Sequence, residues 1–189
     1  MKIAVTGSEG FIGKHLCLAL KAAGHQVYGI DIVNGDDCAD IGSYQDPEIV
    51  IHLAAQTSVR YSLEFPELDA HDNILTTIFT AECAKKVGAK RFIFASSGGA
   101  VYGEGIRLTE QAPTEPTSPY GLSKLTCEKY LRMIAAQMDL TILRLSNVYG
   151  PGGIGVVNAF AQCAKDGRMA TVYGDGEQTR CFSWISDVV

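Results

Sequence analysis

The sequence predicts an α/β fold, a Rossmann-type doubly wound parallel sheet with helices on both faces. Three observations carry this. Short apolar runs alternate with helical periodicities from residue 2 to about residue 146. A strand, a helix and a second strand fit within residues 2–32, and parallel strands need such a crossover. Gly7, Gly10 and Gly13 fall at the first strand-to-helix junction.

Lys2 to Thr6 is a short apolar run ending in a small polar residue, which reads as a buried strand. Gly7-Ser8-Glu9-Gly10 is turn chemistry. Ile12, Leu16, Ala19, Leu20 and Ala23 then recur at helical spacing, and Gly24 stops the helix. Gln26 to Ile32 is a second strand that closes around Asp31, followed by a polar, irregular stretch from Asn34 to Gln45. Ile49 to Leu53 is a third strand. A long helix runs from Pro66 to Val87 and stops at Gly88; Arg91 to Ala95 is the next strand. Gly98-Gly99 breaks the chain, and Gly103 to Pro116 is a loop. Ser118 caps, and Pro119 opens, a helix that reaches about Met138. Leu140 to Leu145 is a strand and Val156 to Lys165 a helix, with short strands at Ala170 to Tyr173 and Phe182 to Ile185. The sharpest change in composition, Gly150 to Gly155, divides the chain into residues 1–150 and 151–189.

Composition narrows the function. Of 189 residues, 47% are hydrophobic and 20% charged, which suits a globular core. Sixteen Lys+Arg against 21 Asp+Glu leave a net charge of −5, which argues against a nucleic-acid partner. No apolar run is long enough to span a membrane, and the N-terminus lacks the pattern of a signal peptide. The six cysteines are scattered without a CxxC pair, so neither a zinc site nor a disulfide framework is expected. These features together describe a cytoplasmic protein with reduced thiols.

The glycine turn is suited to a dinucleotide. Gly7 allows a sharp turn, Gly10 lets backbone approach a pyrophosphate, and Gly13 permits close packing of helix on strand. The free N–H groups and dipole of the following helix favour the anion. Asp31, 18 residues after Gly13, ends the second strand, where a carboxylate accepts from a ribose diol and repels a 2′-phosphate. The charges that follow are Asp36, Asp37 and Asp40, so NAD is favoured over NADP.

Tyr120 and Lys124 stand four residues apart near a helix start and share one face. Such a pair suits proton abstraction from a sugar hydroxyl coupled to hydride transfer. A phenol ionises near pH 10, and a nearby ammonium together with a positive nicotinamide ring is expected to lower that. Ser96 and Ser97 come at the carboxyl end of a buried strand, where a hydroxyl can bond the reacting oxygen.

Taken together, these segments resemble the extended short-chain dehydrogenase/reductase family, in particular its nucleotide-sugar epimerases and dehydratases. The matching stretches are Thr6-Gly7-Ser8-Glu9-Gly10-Phe11-Ile12-Gly13, His52-Leu53-Ala54-Ala55-Gln56, Ser96 to Gly103, Pro119 to Lys124 and Arg144 to Pro151, in family order. The resemblance implies NAD held at Gly7, Gly10, Phe11, Ile12 and Gly13, with Asp31 on the adenosine ribose and Asp40 and Ile41 beside the adenine. It implies Leu53, Ala54 and Ala55 along the cofactor and Asn73 on the helix behind the site. It makes Tyr120 the catalytic base and lets Lys124 hold the nicotinamide ribose. Ser97 is the catalytic hydroxyl, with Ser96 the alternative because this loop is one residue longer than the simpler family version. Asn147 and Arg180 become substrate contacts.

Family dehydratases usually place an acid just after the catalytic hydroxyl, whereas Gly98 and Gly99 follow here. Epimerisation of a nucleotide sugar, UDP-linked, is therefore expected ahead of dehydration or reduction; a non-catalytic NAD-binding module is the reading from another class. The region after Asp31 is shorter than is usual in the family. Family members usually carry a further substrate domain, so residues 151–189 read as its beginning, in a fragment or in a short protein. Two helices, Glu67–Val87 and Pro119–Met138, are apolar on more than one face, through Ile74, Leu75, Ile78 and Phe79 and through Leu125, Leu131, Met133 and Ile134. A homodimer through them is expected.

Overall fold

A computed structural model describes residues 1–43, 46–103, 105 and 107–189. Gln45, which ends the expected irregular stretch, lies outside the described residues, as do Glu104 and Ile106 of the expected loop. The chain forms two compact units, Met1–Leu145 and Ser146–Val189.

The first unit contains β1 (Lys2–Thr6), α1 (Phe11–Ala22), β2 (Gln26–Ile30), β3 (Ile49–His52), α2 (Val59–Glu64), α3 (Pro66–Ala70), a π turn (His71–Leu75), α4 (Thr76–Lys86), β4 (Arg91–Ser97), α5 (Gly98–Val101), α6 (Pro119–Ile134) and β5 (Asp139–Leu145). Two 3₁₀ turns, Ile32–Asn34 and Cys38–Ser43, follow β2. The five strands are parallel, in the order β2-β1-β3-β4-β5. The chain steps from β1 to β2 on one side and crosses to β3 on the other. A crevice therefore opens past the carboxyl ends of β1 and β3, where such sheets take ligands.

The pleat sends alternate side chains to opposite faces. Ile3, Val5 and Ile51 pack against Cys17, Leu16 and Leu20 of α1. Ala4, Val50, Phe92 and Phe94 face the other way, onto Ala81 and Ala84 of α4, Cys127 and Leu131 of α6, and Ala135 just after it. Helices thus cover both faces of the sheet, as the alternation of elements predicts.

Several boundaries differ from expectation, each for a local reason. The long helix expected from Pro66 is α3, a π turn and α4 in succession, because the His71–Leu75 backbone takes one extra residue per turn. The short helix α2 was not expected; Ser58 caps it by accepting from the Tyr61 N–H at 3.1 Å. Gly98-Gly99, expected as a break in the chain, opens the short helix α5. Helix α6 ends at Ile134, and a turn donating from the Met138 N–H to the Ala135 carbonyl leads into β5.

The second unit holds β6 (Asn147–Tyr149), α7 (Val156–Lys165), β7 (Phe182–Trp184) and α8 (Ile185–Val188). Strands β6 and β7 pair in parallel, with Tyr149 edge-on to Phe182 and Trp184. Ala170–Tyr173, expected as a strand, has no ladder partner and is not one; Tyr173 is exposed.

Candidate active site

The glycine turn sits in the crevice. Gly7 has φ +69°, and a side chain there would strike the Ala54 backbone nitrogen at 2.7 Å. At Gly13 a Cβ would lie 2.1 Å from the Gly7 carbonyl oxygen. These two glycines let β1, α1 and the segment after β3 close on one another. At Gly10 a Cβ would meet only the Gly7 oxygen, at 3.2 Å, and would otherwise occupy the open mouth of the turn. Gly10 caps α1 without a side-chain bond, which leaves the first N–H groups of the helix available to an anion.

Asp31 directly follows β2. Its Oδ2 accepts from the Glu9 N–H at 2.9 Å and its Oδ1 from the Val33 N–H at 3.1 Å, so it ties the glycine turn to the strand end. Each carboxylate oxygen accepts more than one bond, which leaves capacity for a ribose. A cradle open at Gly10, an uncapped helix start and a carboxylate at the next strand end fit a dinucleotide. Asp40 accepts from the Asp37 N–H within a 3₁₀ turn. The Ile41 side chain is in the core, so only its backbone is left to face a ligand. Phe11 and Ile12 are half-buried at the start of α1, Phe11 edge-on to His15. Leu53, Ala54 and Ala55 follow β3; the Leu53 N–H donates to the Thr6 carbonyl and the Ala54 N–H to Thr6 Oγ1.

The reacting groups cluster at the carboxyl end of β4 and the first turns of α6. Ser96 and Ser97 are the last two strand residues and point opposite ways. Ser96 Oγ donates to Glu128 Oε1 at 2.6 Å and is buried. Ser97 faces Tyr120, whose phenol is almost fully buried on α6. Burial pushes the Tyr120 pKa above its ordinary value; the Ser97 hydroxyl opposes that shift and the Asp69 charge adds to it. This differs from the expectation that Lys124 pulls it down. Lys124 is also buried, and its ammonium turns toward the strand, donating to the Ala95 carbonyl at 3.0 Å and standing 4.8 Å over the Phe94 ring. Burial lowers the Lys124 pKa to about 8, with Cys127 and Asp69 opposing.

Three networks hold this cluster. Asp69 is fully buried; its Oδ1 accepts from Gln56 Nε2 (2.8 Å) and Asn73 Nδ2 (2.9 Å), and its Oδ2 from Ser123 Oγ (2.7 Å). His52 lies beneath: Thr6 Oγ1 is 2.7 Å from Nδ1, Thr77 Oγ1 is 3.1 Å from Nε2, and Thr77 donates to the Asn73 carbonyl at 2.7 Å. Thr77 has therefore used its proton, so the His52 Nε2–H donates to it and Thr6 donates to Nδ1. Glu128, also buried, accepts from Arg144 through two nitrogens (2.9 and 2.7 Å), while Arg144 reaches the Tyr102 hydroxyl at 2.7 Å. Sequence reasoning missed Asp69, Gln56, Thr77 and Glu128. The spacing held a signal: Asp69 and Asn73, and likewise Lys124 and Glu128, are four apart on helical segments.

In the second unit, Asn147 Nδ2 donates to the Cys181 carbonyl at 3.3 Å, next to Arg180, whose side chain is exposed.

Residues 3–189 match the model of the NAD dependent epimerase/dehydratase family. UDP-glucose 4-epimerase of Mycolicibacterium smegmatis is 34% identical, over 100% of this chain and 71% of its own length. A crystal structure of UDP-glucose 4-epimerase from Thermotoga maritima with UDP-glucose superposes with a TM-score of 0.90 at 35% identity, over 100% of this chain and 71% of that one. UDP-glucuronic acid 4-epimerase from Bacillus cereus, in complex with UDP-glucuronic acid and NAD, gives 0.88 at 32%, over 100% and 70%. That match over residues 3–189, together with these relatives, shows that the chain belongs to the NAD dependent epimerase/dehydratase family.

Proposed function

We propose that this chain carries the chemistry of an NAD-dependent nucleotide-sugar epimerase acting on a UDP-linked sugar. The observation that carries the reading is the buried Tyr120 phenol facing the half-buried Ser97 at the carboxyl end of β4, with buried Lys124 one helical turn on. In this reading Tyr120 takes the proton of a sugar hydroxyl, and Ser97 donates a hydrogen bond to the oxygen that becomes a carbonyl. Taking that proton leaves Tyr120 as the phenol, and returning it after the keto-sugar has turned over restores the phenolate. When bound, NAD accepts the hydride and gives it back, and its positive ring favours the phenolate. The chain's own part is to hold the pyrophosphate at Gly7, Gly10, Phe11, Ile12 and Gly13 and the ribose at Asp31. Asp40, Ile41, Leu53, Ala54 and Ala55 border the cofactor, and Lys124 bonds the second ribose.

Asn147 and Arg180 are the substrate-contact candidates. Residues 1–150 are assigned to cofactor binding and 151–189 to the start of the substrate-binding region. Epimerisation is favoured over dehydration because Gly98 and Gly99 supply no acid after Ser97. Exposed Leu75 and Phe79 beside α4 and Leu122, Tyr130 and Met133 on α6 support a homodimer through these helices. We place the chain in the cytoplasm, the setting that its scattered cysteines suit.

The test is incubation with NAD and a panel of UDP- and dTDP-sugars, with products identified by NMR. Interconversion of two C4 epimers is expected. A 4-keto-6-deoxy product would show dehydration instead.

A further inference from the structure

We infer that Asp69 is a positioning residue for the reacting lysine: its buried carboxylate grips α6 at Ser123 and keeps the neighbouring Lys124 ammonium charged. The argument is a charge balance. Among the described residues two carboxylates are essentially buried, Asp69 and Glu128. Glu128 is neutralised by the two-pronged Arg144 contact and also accepts a hydrogen bond from the Ser96 hydroxyl. Asp69 accepts only from the neutral donors Gln56, Asn73 and Ser123. Those bonds satisfy its oxygens without cancelling its charge.

Lys124 has the complementary shortage. Its ammonium carries three protons and donates one bond, to the Ala95 carbonyl; the Phe94 face is its other contact. A buried cation without a countercharge would shed its proton. The titratable groups facing it are His52 from β3, Cys127 from its own helix and Asp69 from α3, and of these Asp69 alone supplies a fixed negative charge. Lys124 directly follows Ser123, so the Ser123 bond that fixes the rotation of α6 also sets the lysine's position relative to the carboxylate. The same charge opposes ionisation of Tyr120. Asp69 therefore favours a protonated lysine beside a neutral phenol before ligands arrive.

This rests on Lys124 belonging to the reacting site, but its test needs no turnover, so failure of the epimerase reading would show separately. Lysine side-chain resonances of the 189-residue chain are followed against pH by NMR, with Lys124 assigned by their loss in Lys124→Arg. In Asp69→Asn, which keeps the shape and removes the charge, the Lys124 midpoint should fall by about one unit. In Ser123→Ala, which keeps the charge but releases the lysine from its set position, it should fall by less. An unchanged midpoint in Asp69→Asn would overturn the proposal, and so would an unchanged midpoint in Ser123→Ala, which can be read even if the Asn variant does not fold.

Discussion

At His52 a titratable ring is held neutral in the core. Its pKa falls from 6.5 to about 3 because burial disfavours the cation and the Lys124 charge repels it. A folded pKa below the unfolded one means that the unfolded chain binds the extra proton between pH 3 and 6.5. Stability is therefore complete above pH 6.5 and is lost as the pH falls toward 3, at up to about 1.4 kcal/mol per unit for this proton. His52→Gln should make the unfolding free energy shallower in that window by up to one proton, as measured by urea titrations at several pH values. An equal slope in both proteins would mean that His52 is not held neutral. The residue scale is also where the sequence said least. Tyr120, Lys124 and Ser97 stood out because their types and spacing have a chemistry. Asp69 and His52 did not, because a partner that fixes each of them comes from far away in the chain: Ser123 and Thr6 are 54 and 46 residues off.

The elements fix the site by backbone contact. At Gly13 the neighbour that a side chain would strike is the Gly7 carbonyl, a rigid atom of the turn itself. Gly13→Ala should cost about 3 kcal/mol in chemical denaturation and weaken NAD binding in calorimetry, since α1 must move off β1. The Glu128–Arg144 pair joins α6 to β5, and through Ser96 to β4. Glu128→Ala leaves Arg144 without its carboxylate and should cost about 3 kcal/mol, read in the same way. A loss below about 0.5 kcal/mol, the size expected of an exposed pair, would contradict the burial described. Long periodic helices and apolar strands were legible from the sequence because burial demands them. The π turn and the six-residue α2 were not. The first differs from an α-helix by one residue of backbone winding, and the second is too short to show a period.

Across the molecule, alternating strands and helices were enough to predict the parallel sheet, because parallel neighbours require a crossover. The strand order was less legible: with a short connection after Asp31, the chain goes straight from β2 to β3 on the far side of β1. The same helices that cover the core leave Phe79 and Met133 exposed, while Leu125 and Leu131 turn inward. Phe79→Glu combined with Met133→Glu should convert a dimer to a monomer in sedimentation velocity without lowering the melting temperature of the monomer. The central claim is that the Tyr120 phenol moves the sugar proton. Tyr120→Phe tests it most directly: the rate of UDP-sugar interconversion is measured beside the unaltered chain, with NAD affinity determined on both. The account predicts interconversion by the unaltered chain and its loss in the variant, with NAD affinity nearly unchanged. Interconversion by the variant at the unaltered rate would contradict it.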